Sequence, residues 1–122
     1  MHYQPQIDLA SGRVIGVEAL ARWKDVDEGM IPPDIFIPII ESTGLLQRFS
    51  QWTIRRAFKD VVAWQSAWPG VGVSINLSAD ALHDELVLRS LAEELAASDA
   101  DPALVIIELT ESDLSDFIRS VV

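Results

Sequence analysis

The stretch "VGVSINLS", residues 71–78, alternates without exception. Val71, Val73, Ile75 and Leu77 share one side of an extended chain, and Gly72, Ser74, Asn76 and Ser78 share the other. Side chains of a strand point to opposite faces in turn, so this reads as a strand with one apolar face and one small, polar face. Segments of helical period flank it. Between Leu45 and Trp68, Ile54, Ala57, Val61, Trp64 and Trp68 recur at helix spacing with Arg55, Arg56, Lys59 and Asp60 mostly between them, and the two tryptophans of this stripe are read as core. Pro69 and Gly70 break that helix. A second one is predicted around residues 84–98, carried by Leu88, Leu91, Ala92 and Leu95 and ended by "SDADP".

Upstream, residues 3–8 and 13–23 look extended, and the "DLASGR" between them carries the Asp, Ser and Gly of a tight turn, which predicts a hairpin. "KDVDEGMIPPD" reads as a loop. "IFIPIIESTG" reads as a short helix interrupted or started by Pro38 and stopped by Gly44. Downstream, "ALVIIELTES" gives a further strand, and "SDLSDFIRSVV" begins a helix with Ser112 at its N-cap. The predicted order is ββαβαβα, an α/β fold with parallel pairing and βαβ crossovers, in an open sheet or a barrel. The chain shows no internal repeat, low-complexity segment or linker.

With 122 residues, 49% of them hydrophobic, the chain can build one core in one domain. It has no cysteine, which excludes a disulfide framework and a thiolate metal site; with nothing to suggest an oxidising compartment, the cytoplasm is the expected location. No apolar run approaches the roughly 20 residues of a membrane helix, and Met1 is followed by His-Tyr-Gln-Pro without a basic stretch and apolar core, so direct membrane insertion is not expected. A formal net charge of −10 argues against long nucleic acid as a partner, because that affinity comes mostly from Lys and Arg on phosphates. A small anionic ligand would need a cation or a focused arginine.

Three strands each place an oxygen ligand near the C-terminal end: Glu18 in the second, Asn76 in the third and Glu108 in the fourth. In parallel α/β architectures that end carries the active site. Two carboxylates and a carboxamide, with no Cys and no nearby His, are hard donors suited to Mg²⁺, Mn²⁺ or Ca²⁺ and unsuited to zinc. Each also has a plainer reading: a solvated loop-edge glutamate, or an asparagine in a turn or cap. In "GVEALARW", Arg22 shares the parity of Glu18 and Leu20. Its planar fork could hold a phosphate through two hydrogen bonds, or it could pair with Glu18. His2 and His83 lie away from these strand ends and read as surface residues.

"YQPQIDL", "GVEALARW", "FIPIIESTGLL", "VSINLS" and "IIELTES" occur in an order and spacing that resembles the EAL family of cyclic di-GMP phosphodiesterases. "EALAR" is similar to the E-A-L-x-R signature, Asn76 falls in its N-L-S, and Glu108 and Glu111 match its E-x-T-E. The resemblance implies a modified (β/α)₈ barrel whose first strand runs antiparallel to its neighbour, of which this α/β chain would be the first half. It also implies hydrolysis of one phosphodiester bond of cyclic di-GMP to linear pGpG, with two Mg²⁺ or Mn²⁺ ions in the complete domain. Glu18, Asn76 and Glu108 would be metal ligands, and Arg22, Gln4 and Leu20 would contact substrate. Glu18 and Glu111 would be catalytic, Glu111 by steadying a loop beside the metals.

The chain also departs from the family. A (β/α)₈ barrel takes about 250 residues, and residues 1–122 stop after the fourth strand and the start of the next helix, so they read as a partial EAL domain cut from a longer polypeptide. The family's later D-D-F-G motif, with its two aspartates, and a later Lys, Glu and Gln are absent from these residues. Gln6 stands where the family usually has an aliphatic residue, and Ser42 where it often has an acid. No turnover is expected of the isolated chain, whereas a homodimer, or association through the incomplete barrel, is. The competing expectations are an EAL-like module that binds cyclic di-GMP or a protein partner without hydrolysis, and an interaction module whose acidic strand ends are merely solvated.

Overall fold

The structure, a computed structural model, describes residues 1–109, 114–115 and 118–119. The predicted hairpin is present: β1 (His2–Ile7) pairs antiparallel with β2 (Val14–Leu20) across the Asp8–Arg13 turn, whose Asp8 carboxylate accepts from the Ser11 backbone N–H. The stretch read as extended over 13–23 breaks after Leu20, and two strands of three residues each, β3 (Trp23–Asp25) and β4 (Gly29–Ile31), form a second hairpin that starts on its last residue and otherwise lies inside the segment read as a loop. The Asp25 carboxylate builds it by accepting from the Asp27 and Glu28 backbone N–H groups at 2.9 and 3.1 Å, an Asx turn that closes on Gly29. Strands this short show no period, which is why alternation does not reveal them.

Helix α1 (Pro33–Ser42) starts on Pro33, where a missing N–H costs nothing, and runs through an exposed Pro38 instead of starting or breaking there. Helix α2 (Leu46–Gln65) follows and leads to β5 (Gly72–Asn76), shorter than the alternating stretch. The helix predicted around 84–98 is present, and a second, short helix precedes it. A five-residue α3 (Ala79–His83) is capped by Ser78, and α4 (Glu85–Ala97) is capped by Asp84, whose carboxylate accepts from the Leu86 and Val87 N–H groups. A single 3₁₀ turn at Pro102–Leu104 leads into β6 (Val105–Glu108). The helix expected at the C-terminus, with its Ser112 cap, falls largely outside the described residues; 114, 115, 118 and 119 are helical. No described helix is long and apolar enough to cross a membrane.

The main sheet runs β1-β2-β5-β6, with β2, β5 and β6 mutually parallel. Strand order therefore follows chain order. A doubly wound sheet reverses at a switch point, whereas this sheet keeps winding in one direction, as a closing barrel does. Ala19, Val73 and Ile75 face the helices and form the core with Ile54, Ala57, Phe58 and Val61 of α2 and Val87 of α4. The opposite face carries Gln6, Glu18, Ser74 and Glu108. This is the first half of a TIM-like barrel, with helices outside and a polar interior face.

The helix stripes need two corrections. Trp64 is only partly buried and Trp68 is 62% exposed, because α2 ends at Gln65 and Trp68 lies beyond the stripe. On α4 the inward side is Val87 and Ser90, flanked by Leu91 and Leu95, while Leu88 turns outward. Ser90 is buried because Gln51 of α2 donates to its hydroxyl at 3.0 Å, and a second bond from Gln47 to Asp84 ties α2 to the cap of α4.

Tyr3 fastens β1 to α2. Its ring meets Trp64 edge-on at 4.6 Å, and its hydroxyl donates to Asp60 at 2.5 Å, while Arg56 donates to the same carboxylate oxygen at 2.8 Å. Burial, together with the neighbouring Asp60 carboxylate, pushes the phenol well above its ordinary pKa. For Asp60 burial opposes ionisation, yet the hydrogen bonds from Tyr3 and Arg56 outweigh it and hold the carboxyl below the usual range. A raised phenol contributes stability that is complete below pH about 10 and lost as pH rises through the folded value; a depressed carboxylate contributes above pH about 4 and loses it in acid. Tyr3→Phe is therefore expected to cost about 1.5–3 kcal/mol at neutral pH, the range for a hydrogen bond to a charged group, and to flatten the alkaline limb. Urea denaturation at neutral pH and again above the ordinary tyrosine pKa of about 10 measures both.

Candidate functional site

Backbone register brings the polar residues together. Gln4 lies opposite Glu18 across the β1/β2 pair, Glu18 opposite Ser74 across β2/β5, and Asn76 opposite Glu108 across β5/β6. At the C-terminal ends of the parallel strands the Asn76 side-chain amide donates to Glu18 Oε1 at 2.8 Å. Two of the three predicted ligands thus touch, and the third stands beside them in register. The Glu108 carboxylate accepts from Gln6 Nε2 at 3.5 Å.

Beside this cluster opens a cleft of about 550 Å³, in the size range of small-molecule sites. Leu20 and Arg22 line it from β2 and the residues just after it, Phe36 and Ile37 from α1, and Asn76 from β5. Arg22 is half-buried and donates to its neighbour's carbonyl, Ala21 O, at 2.8 Å, which braces the guanidinium at the cleft. It makes no ion pair with Glu18; Arg56–Asp60 is the salt bridge formed among the described residues. Gln4 is exposed on β1, and His2 and His83 are exposed, as expected. Glu111 lies outside the described residues.

The donor set fits a hard divalent cation. Glu18, Asn76 and Glu108 offer only oxygen ligands, and no described side chain engages the Asn76 carbonyl oxygen. Among the described residues no three His, Cys, Asp or Glu converge, so the set is two carboxylates and a carboxamide.

Alternation and strand ends do not single out Gln6 and Ser74. Ser74 is fully buried on the polar face, and Gln6 reaches it across the sheet at 3.4 Å. Two glycines make the room. A Cβ on Gly16 would stand 2.8 Å from Gln6 Oε1, and one on Gly72 would stand 2.8 Å from the Leu104 carbonyl oxygen. The signal in the sequence is the even parity that Gln4 shares with Gln6, and Gly72 with Ser74 and Asn76.

The chain matches the family model described as the EAL domain over residues 1–121. It is 36% identical over 116 residues to a probable cyclic di-GMP phosphodiesterase of Escherichia coli, covering 95% of this chain and 22% of the relative. It is likewise 36% identical over 112 residues to a cyclic di-GMP phosphodiesterase of Pseudomonas aeruginosa, covering 92% of this chain and 19% of the relative. The chain thus spans about one fifth of the length of these curated relatives. A solved structure, the PaMucR phosphodiesterase in complex with c-di-GMP, superposes with a TM-score of 0.89 at 31% identity, over 98% of this chain and 49% of that one. On the family match and the half-barrel topology together, the chain belongs to the EAL domain family.

Proposed function

We propose that residues 1–122 are part of one EAL domain, and that the protein carrying it hydrolyses cyclic di-GMP to linear pGpG with Mg²⁺ or Mn²⁺. The observation that carries this reading is the 2.8 Å contact of Asn76 with Glu18 at the rim, with Glu108 in register beside them. The names of the two bacterial relatives give the substrate class.

Glu18, Asn76 and Glu108 would hold the cation, two ions in the complete domain. A divalent ion there supplies charge neutralisation on the phosphate and lowers the pKa of the attacking water. Arg22, braced at the cleft by the Ala21 carbonyl, presents its remaining N–H donors to a phosphate; Leu20, in the cleft, and Gln4, outside its lining but opposite Glu18 on β1, would flank the dinucleotide. The water oxygen forms the new bond to phosphorus, the bond to the 3′-oxygen breaks, and the proton ends on that oxygen. The product then carries a 5′-phosphate, as pGpG does. Glu111 is proposed to steady the adjoining loop. The charge balance supports the same reading, since a cation and Arg22 reverse the local field of a chain with net charge −10. The absence of cysteine accords with a cytoplasmic setting.

Chromatography of the full-length protein incubated with cyclic di-GMP and either ion tests this. Appearance of pGpG supports the reading. Its persistent absence with both ions supplied overturns it, and tight cyclic di-GMP binding without product would favour the non-catalytic module.

The 122 residues alone align with about half of the PaMucR chain, and we propose that by themselves they do not turn over. Among the described residues β6 pairs only with β5 and no strand lies on its other side, and the strand itself is apolar over Val105–Ile107. An open, apolar strand edge pairs with another chain, so the isolated 122 residues are expected to form a homodimer across it. A monomeric mass at micromolar concentration, by light scattering, would count directly against this.

A further inference from the structure

We propose that Gln6 is a positioning residue for Glu108, one that sets the carboxylate for the cation site; the inference rests on the metal reading above. Gln6 belongs to the antiparallel β1, separated from β6 by β2 and β5. Its side chain can cross because register places Gly16 directly opposite it and Gly72 next to Gly16, so no side chain stands in the way. Its Oε1 already lies 2.8 Å from where a Cβ on Gly16 would be.

The amide then makes contacts in two directions. Nε2 donates to Glu108 Oε1 at 3.5 Å and to Ser74 Oγ at 3.4 Å, and the Ser74 hydroxyl can donate back to Gln6 Oε1 at 3.5 Å. Ser74 is 0% exposed, so it is a fixed anchor. These contacts are long, and they steer orientation more than they add energy. Among the described residues, Gln6 is the side chain that hydrogen-bonds to the Glu108 carboxylate. A neutral amide suits this role because it fixes the direction of the carboxylate and leaves its negative charge for the cation, whereas Lys or Arg would neutralise it. Partners of this kind behind a metal ligand change metal affinity about 10–100-fold when removed.

The experiment is calorimetric titration of Mn²⁺ into the full-length protein and its Gln6→Met variant, which keeps the length of the side chain and loses the donor. The expected result is a Kd for Mn²⁺ raised about tenfold, with a thermal midpoint of the metal-free variant close to that of the parent. Equal Kd values in parent and variant would overturn the role of Gln6 while leaving the metal reading intact. No saturable Mn²⁺ binding in the parent would overturn both. If Gln6→Met does not fold, Gln6→Asn, which withdraws the amide by one methylene, decides by the same criteria.

Discussion

Glu18→Gln in the full-length protein is expected to cut cyclic di-GMP hydrolysis by more than about 100-fold and to weaken Mn²⁺ binding by at least as much, since losing a partner that merely supports a ligand already costs up to that factor. The side chain keeps its length and still accepts from Asn76 through its carbonyl oxygen, so the 2.8 Å contact and the fold can survive. What disappears is one negative charge from a set of two carboxylates and one amide. A hard cation is held mainly by charge and oxygen donors, so that loss falls on the ion and on the reaction it supports. Product assays and calorimetry on the same preparation check the two effects together. A variant that binds Mn²⁺ and releases pGpG at the parent's rate would show that Glu18 is not a ligand.

Phe58→Ala is expected to remove about 3–5 kcal/mol of stability, the range for emptying a buried aromatic site. Phe58 is 1% exposed and shares the core with Ile54, Val73, Ile75 and Val87, which join α2 to both β5 and α4. Domains are stable by only about 5–15 kcal/mol, so this one change removes much of the margin and loosens the sheet that aligns Glu18, Asn76 and Glu108. The urea midpoint, with the slope unchanged, measures it. A loss under about 1 kcal/mol, far below the range for a buried aromatic, would mean that the α2–sheet contact is not the centre of the core. Catalysis at low temperature should be retained in the folded fraction, which separates this variant from Glu18→Gln.

Much of the fold is legible in the sequence because long elements repeat. The alternation of 71–78 and the helical period of 45–68 are written in every second or every third and fourth residue, and the antiparallel first hairpin is written in its turn. The β3/β4 hairpin is hidden, since three residues carry no period and its turn depends on one carboxylate, Asp25, capping two backbone N–H groups. Trp68 has the spacing of a core residue and is exposed all the same, because a stripe does not announce where its helix ends.

The site divides along the same line. Residue type and strand-end position pick out Glu18, Asn76 and Glu108 from the sequence, because hard oxygen donors at the ends of parallel strands are a local pattern. That Asn76 touches Glu18, 58 positions away, and that Gln6 reaches Glu108, 102 positions away, belong to sheet register and curvature. The sequence by itself determined which side chains are hard oxygen donors and which face of each strand they occupy. Only the tertiary structure decided which of them meet: pairing between distant strands, set by packing the opposite face onto α2 and α4, fixes distances that no spacing along the chain contains.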